Sequence, residues 1–241
     1  MTQSELNGIK FIYFDLDDTL LDHKSAQMKA LQKVIDEVES LGEITSEQLK
    51  QVYHQRNQEL WHLYNHGKIT KEELKKRRFT ETLEELGLSQ QHYEKVAGVY
   101  MHYYRQSWGW IDGAESAFYS ISRNVPTGIV TNGFTETQYP KLQQFGLMQN
   151  GRKVIISEEV GYLKPDPRIY KYAVEQVGAE PSEVLYVGDS YNSDIEGGNA
   201  AGLKTAWFAR GQDTAGKNTA DIIFDDFTEL EKKLEVSSSE K

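Results

Sequence analysis

Two acidic residues, Asp15 and Asp17, come directly after the apolar run at residues 11–14 and stand two positions apart. The apolar run predicts a buried strand, and side-chain alternation stops where a strand ends, so both carboxylates can turn toward one spot. Two converging carboxylates repel each other unless a cation lies between them. With a divalent cation, one carboxylate can attack a substrate while the other handles the proton. Mg2+ suits such a site because it prefers oxygen ligands.

Two later segments carry groups that could bind a phosphate. Thr131, Asn132 and Gly133 offer a hydroxyl, an amide and a permissive backbone, which could cradle a phosphoryl group, although the same tripeptide is also an ordinary turn. Lys164 is followed by prolines at two of the next three positions, and these stiffen its loop. A lysine held in this way could screen the repulsion between a carboxylate and a phosphoryl group. The alternative is a rigid surface turn with a solvated lysine.

A fourth segment repeats the pattern of the first. The apolar run at 184–187 leads through Gly188 to Asp189, and Asp194 follows five residues later. Two carboxylates at this position, near Asp15, would complete an oxygen-rich Mg2+ site. Each segment is weak evidence alone, but the four together in this order strongly favour a phosphate-handling site.

The residues between the first two segments are predicted to be helical. Residues 22–107 carry capping-box patterns at 45–48 and 70–73, which predict two helix starts, and a further helix is expected at about 90–104. An earlier helix is predicted from apolar residues at three- and four-residue spacing, namely Met28, Leu31, Ile35, Val38 and Leu41.

The rest of the chain alternates short β-rich runs with helical segments, which predicts a parallel sheet with helices on both faces. The predicted strands are 11–14, 127–130, 153–156, 184–187, 205–208 and 222–224. The predicted organisation is therefore an α/β core from 1–21 and 108–234, a helical cap at 22–107 and a disordered tail at 235–241. Asp15 and Asp17 stand at the carboxyl end of a strand, where parallel sheets place their active sites.

With these four segments in order, the chain resembles the haloacid dehalogenase-like superfamily of phosphatases over nearly its whole length. The resemblance implies a Rossmann-like core with an all-helical, C1-type cap inserted after the first motif. It implies that Asp15 is the nucleophile that becomes an aspartyl-phosphate and that Asp17 is the general acid and then the base. Thr131 and Lys164 would hold the phosphoryl oxygens.

The same resemblance implies one cofactor, Mg2+. The ion would lie on the Asp15 carboxylate, the backbone carbonyl oxygen of Asp17 and Asp189, with Asp194 supporting it directly or through water. The dehalogenase branch of the superfamily lacks an acid two residues after the nucleophile. Because Asp17 occupies that position here, dehalogenation is disfavoured.

Within the superfamily the chain looks most like bacterial 5′-nucleotidases that act on pyrimidine nucleoside monophosphates. The similarity rests on overall length, the helical cap, and the forms D-L-D-D-T-L and V-T-N-G-F of the first two motifs. Sugar-phosphate phosphatases of the acylneuraminate-9-phosphatase-like group share most of these features. A β-phosphoglucomutase-like mutase and a non-catalytic binding protein on the same fold are further alternatives. Specificity is expected to come from the cap.

The composition excludes several kinds of site and of binding partner. The 241 residues include no cysteine, which excludes disulfides, thiolate metal sites and a cysteine nucleophile. The formal charge of −10 and the scattered basic residues argue against a nucleic-acid polymer as partner and leave a small phosphorylated metabolite. No apolar run reaches the roughly 20 residues of a membrane span, and the N-terminus shows no signal region. A cytoplasmic protein without membrane contact is predicted.

Overall fold

The computed structural model describes residues 8–149, 151–217 and 219–234. It divides the chain into two compact units: His23–Gly109, and the residues before and after that stretch. The predicted tail at 235–241 lies outside the described residues.

Within the described residues, one unit contains a six-stranded, fully parallel sheet in the order β3-β2-β1-β4-β5-β6. The strands are β1 (Phe11–Phe14), β2 (Thr127–Thr131), β3 (Lys153–Ile156), β4 (Val184–Gly188), β5 (Lys204–Phe208) and β6 (Ile222–Phe224). All of the predicted strands are confirmed, and β2, β4 and β5 are each one residue longer than predicted.

Both faces of this sheet are buried, as parallel sheets require when helices cover each side. Along β1, Ile12 and Phe14 pack into one hydrophobic cluster while Tyr13 packs into another. Along β4, Leu185 and Tyr186 divide between the same two clusters. The alternation follows from the two-residue period of a strand. The six-stranded parallel sheet with both faces buried confirms the predicted Rossmann-like α/β class.

The helices of this unit lie between successive strands, except the last, which follows β6. They are α5 (Ala114–Ser122), α6 (Thr135–Gln144), α7 (Ser157–Val160), α8 (Pro167–Glu175), α9 (Gly197–Ala200) and α10 (Phe227–Lys233). The strand order reverses between β1 and β4, and ligands of open α/β sheets bind at the carboxyl ends of strands at such a reversal. In the part of the chain that the structure describes, no helix is both long and apolar enough to cross a membrane.

The other unit is helical. It comprises α1 (His23–Glu37), α2 (Ser46–Asn65), α3 (Lys71–Glu85) and α4 (Tyr93–Gln106). Helix α1 packs on α4, and α2 packs on α3. Both predicted capping boxes are confirmed, since the side chains of Thr45 and Thr70 each accept a bond from the backbone of the residue three positions later.

The predicted first helix is confirmed as α1, but it ends at Glu37, and one residue of its predicted apolar face lies at the surface. Met28 is 40% exposed, whereas the buried face of α1 runs through Ala26, Ala30, Leu31 and Val34. Met28 fits the three- and four-residue spacing, but the buried face of the helix is centred on Ala26 and Ala30, whose small side chains allow close packing against a neighbouring helix.

Candidate active site

The centre of the site is a buried ion pair between Asp15, the first residue after β1, and Lys164. The Lys164 Nζ donates to Asp15 Oδ1 at 2.5 Å, to Asp194 Oδ1 at 2.7 Å and to the Tyr186 hydroxyl at 2.9 Å. A lysine ammonium has three N–H donors, so these three contacts use all of them. Lys164 thus links the first segment, through Asp15, to the fourth, through Tyr186 and Asp194.

The backbone of Lys164 is held by Asn132. The Asn132 Nδ2 donates to the Lys164 carbonyl oxygen and its Oδ1 accepts from the Lys164 amide, both at 2.9 Å. The peptide bond between Lys164 and Pro165 is cis. The Asn132 side chain therefore orients the lysine loop, and its predicted contact with phosphate stays a prediction.

The loop after β2 is fixed by short contacts. The Gly133 amide donates to the Ser157 hydroxyl at 3.2 Å, and Gly133 has a φ of +151°. A Cβ atom at this position would lie 3.0 Å from the side chain of Gln138. Thr131, fully buried at the end of β2, accepts a bond from Gln138 Nε2 at 2.7 Å. Glycine is thus required for this loop to close against α6.

Three carboxylates gather beside the ion pair. One oxygen each of Asp15, Asp189 and Asp194 lies within 4.8 Å of the others. The hydroxyl of Thr19 lies 3.3 Å from Asp15 Oδ2 and 3.2 Å from Asp189 Oδ1. These three of the four predicted metal ligands are brought together as side chains, and the predicted contribution of the fourth, the backbone carbonyl oxygen of Asp17, stays a prediction.

Asp194 belongs to a π-helical segment, Tyr191–Glu196, directly after the loop that carries Asp189. Its Oδ2 accepts a bond from the Ser190 amide at 2.9 Å. A Cβ atom added at Gly188 would lie only 2.4 Å from the Asp194 carboxyl group. The glycine at the end of β4 therefore permits the close approach of this carboxylate, which a larger residue would displace.

Burial and charge shift the titration of the central pair. Burial raises the pKa of the Asp15 carboxyl well above its usual value, and although Lys164 opposes the shift, Asp194 and Asp189 add to it. Burial alone would lower the pKa of Lys164, but the carboxylates of Asp15 and Asp194 outweigh it and raise that pKa. Three carboxylates carry more negative charge than one ammonium can neutralise. An oxygen-rich, negatively charged cluster of this kind fits a hard divalent cation such as Mg2+.

Asp17 is held by a second, separate set of contacts. Lys141 Nζ donates to Asp17 Oδ1 at 2.7 Å and to Oδ2 at 2.9 Å, and Gln138 Nε2 donates to Oδ2 at 3.0 Å. The Asp17 side chain is 24% exposed, whereas Lys141 is 1% exposed. Asp15 and Asp17 of the first motif are therefore each paired with a different lysine.

Four residues of the site carried no role in the sequence analysis: Thr19, Gln138, Lys141 and Tyr186. Thr19 stands in the first motif four residues after Asp15. The polar tip of Tyr186 lies within an otherwise apolar strand, which is a signal for a buried hydrogen bond. Gln138 and Lys141 are three residues apart, which places them on one face of a helix, but a polar helix face is ordinarily solvated.

A parallel sheet with an aspartate–lysine cluster at its carboxyl edge defines an α/β enzyme with an aspartate-centred site. The family model for haloacid dehalogenase-like hydrolases matches residues 12–208. The chain is 35% identical over 201 residues to the pyrimidine 5′-nucleotidase PynA of Streptococcus pneumoniae, and the aligned residues cover 83% of each chain. It is 36% identical over 198 residues to the pyrimidine 5′-nucleotidase YjjG of Escherichia coli, and the aligned residues cover 82% of this chain and 84% of that protein.

Among solved structures, the magnesium-bound HAD-hydrolase YfnB of Bacillus subtilis aligns with a TM-score of 0.81 at 28% identity, covering 95% of this chain and 99% of that one. The chain belongs to the haloacid dehalogenase-like hydrolases. Within that family it is an enzyme of the phosphoric monoester hydrolase class.

Proposed function

We propose that this enzyme is a Mg2+-dependent 5′-nucleotidase that hydrolyses pyrimidine nucleoside monophosphates through an aspartyl-phosphate on Asp15. The observation that carries the chemistry is the buried Asp15 carboxylate, which contacts Lys164 and lies beside two further carboxylates. The substrate class is supported by PynA and YjjG, both named as pyrimidine 5′-nucleotidases.

In the first step, a carboxylate oxygen of Asp15 attacks phosphorus and the bond from phosphorus to the ester oxygen breaks. Protonated Asp17 gives its proton to that ester oxygen, so that the nucleoside leaves as a neutral alcohol. Thr131 and Lys164 hold the phosphoryl oxygens, and the charge of Lys164 offsets the negative charge around phosphorus.

In the second step, Asp17, now ionised, takes a proton from water. The oxygen of that water attacks phosphorus, and the bond from phosphorus to Asp15 breaks. Inorganic phosphate leaves, and the Asp15 carboxylate and the protonated Asp17 are restored. Two moderate barriers thus replace one high barrier.

The residues that would hold Mg2+ are Asp15, Asp189 and Asp194, with the backbone carbonyl oxygen of Asp17. Bound there, the ion would supply positive charge that offsets the charge of the phosphoryl group and the clustered carboxylates. This chain's own part is to gather the carboxylates, which Thr19 and Gly188 allow by close contact with them.

The test is the release of inorganic phosphate from a panel of nucleoside monophosphates and sugar phosphates, each with Mg2+ and with EDTA. We expect Mg2+-dependent release that favours UMP, dUMP or dTMP, and loss of that release in an Asp15→Asn control. Release from sugar phosphates alone would keep the mechanism and replace the substrate class. Isomerisation of a sugar phosphate without free phosphate would identify a mutase. No release from any compound would contradict the proposed function and reopen the mutase and binding-protein alternatives.

A further inference from the structure

We propose that Gln138 and Lys141 are positioning residues that hold the Asp17 carboxylate in the orientation required for proton transfer. The inference rests on the proposed function, because it gives Asp17 the role of acid and base. It concerns a pair of residues on α6, which we call the Asp17 clamp.

The clamp is a buried structure. Lys141 is 1% exposed, as is Gln138, although lysine and glutamine are among the residues least often buried. Burying an ammonium group is costly unless it is paired and hydrogen-bonded. The Asp17 carboxylate, whose two oxygens lie 2.7 and 2.9 Å from Lys141 Nζ, provides that pairing. The position is therefore built around the contact with Asp17.

The contacts also define the orientation of the carboxylate. Lys141 reaches both oxygens, and Gln138 adds a third bond to Oδ2 at 3.0 Å. A carboxylate held at both oxygens from one side has little freedom to rotate. Proton transfer to a leaving oxygen requires this order, because a displacement of about 1 Å costs a large part of the rate.

Gln138 joins the clamp to the loop that follows β2. Besides Asp17, its Nε2 donates to the Thr131 hydroxyl at 2.7 Å. Thr131 is a proposed phosphate-holding residue, so one amide group orients both the proton donor and a group proposed to face the phosphoryl oxygens.

The test compares two substrates in variants of the clamp. General acid catalysis is needed for an alkyl phosphomonoester, whose leaving group is poor, and matters much less for p-nitrophenyl phosphate. We expect Lys141→Met to lower kcat/KM for the alkyl ester about tenfold more than for p-nitrophenyl phosphate. Gln138→Leu is expected to shift the same ratio in the same direction by a smaller factor, and it carries the test if Lys141→Met does not fold.

A double-mutant cycle separates positioning from general stabilisation. In an Asp17→Asn background, Lys141→Met is expected to cause no further change in the ratio of the two kcat/KM values, because the inference has Lys141 affect proton transfer through Asp17. The matched control is Lys204→Met, which removes the exposed ion pair with Asp221 in the same unit and is expected to leave the ratio unchanged. Comparable thermal midpoints for the variants confirm that folding does not account for the difference.

Two results would overturn the inference while the wild-type enzyme remains active. One is an equal loss for both esters in Lys141→Met, and the other is a full additional shift of the ratio in the Asp17→Asn background. If the wild-type protein hydrolyses neither ester, the proposed function itself fails. The two failures are therefore distinguished by the wild-type rates.

Discussion

The α/β unit and the helical unit treat polar side chains in opposite ways. The α/β unit buries charged groups, including Asp15, Lys141, Lys164 and Asp194. In residues 23–109, all of which are described, the buried polar side chains are the uncharged Gln27, Thr80 and Thr82. Burying a charge is expensive, and mutual attraction repays the cost only with good geometry. Among the described residues, buried charge is therefore concentrated in the unit that holds the proposed active site.

The helical unit carries ion pairs at its surface. Arg56 pairs with Glu85, and Arg77 pairs with Glu81, through side chains that keep more than a quarter of their area exposed. Exposed pairs of this kind contribute little to stability. The core of the unit is made instead by amphipathic helices, whose aromatic rings pack on one another. Changes in the two units should accordingly have different consequences.

The largest effect is expected from Asp15→Asn. The amide keeps the size of the side chain and can still accept a bond from Lys164, but it cannot attack phosphorus, so kcat should fall by at least about 1,000-fold. The fold should survive because the substitution removes a charge from a crowded carboxylate cluster. Turnover of p-nitrophenyl phosphate and a thermal melt check both points, and full activity in a folded, pure variant would contradict the assignment.

The next effect concerns the response to metal. Asp189→Ala removes one of three clustered carboxylates, and the Mg2+ concentration for half-maximal activity should rise at least about tenfold. Asp221→Ala, which removes an acid of the exposed pair with Lys204, is the matched control and should leave that concentration unchanged. An Mg2+ titration curve for Asp189→Ala that overlays the wild-type curve would argue against a metal at this cluster.

A smaller effect on turnover is expected from Tyr186→Phe. The hydroxyl accepts from Lys164 and donates to the Val130 carbonyl oxygen at 2.9 Å, so its loss should lower kcat by roughly three- to tenfold and stability by about 1–3 kcal/mol.

Tyr13→Phe provides the control for Tyr186→Phe. The buried Tyr13 hydroxyl donates to the Ala173 carbonyl oxygen at 2.9 Å, so this variant should lose similar stability but retain kcat. Urea unfolding measures the loss of stability in both variants, and steady-state kinetics measure their kcat. Equal kcat values in the two variants would show that Tyr186 does not orient Lys164.

The smallest effect on turnover is expected in the helical unit. Thr70→Ala removes the cap of α3 and should lower stability by about 1 kcal/mol while leaving kcat for p-nitrophenyl phosphate within about twofold. Thr45→Ala, at the equivalent position of α2, should behave alike. A loss of turnover as large as that of Tyr186→Phe would show that the helical unit contributes to catalysis beyond its own folding.

Local patterns were sufficient to predict the strands, the helices of residues 22–107 and the main motifs. Apolar runs of strand length predicted all the strands of the sheet, because each strand is buried on both faces and needs continuous apolar sequence. Capping residues predicted the starts of α2 and α3 because the cap is a contact within four residues. The four motifs were recognisable because each is a short polar segment that follows an apolar run or lies between rigid residues.

Contacts between distant residues were not predictable in this way. The Asn132 amide looked suited to a ligand, but it is bonded to the backbone of a residue 32 positions away. Lys141 carried no role in the sequence analysis, but it is buried against Asp17, 124 positions away. No local pattern specifies which helix face meets which strand end.

Local sequence patterns were enough to specify the α/β class, the order of the motifs and the identity of the acids and the lysine that form the candidate site. The pairing of these groups, Asp15 with Lys164 and Asp17 with Lys141 and Gln138, is apparent only in the folded molecule. Secondary structure follows from hydrogen bonds and burial within a few residues. The pairing of buried charges instead depends on distances that are set when the whole sheet and its helices pack together.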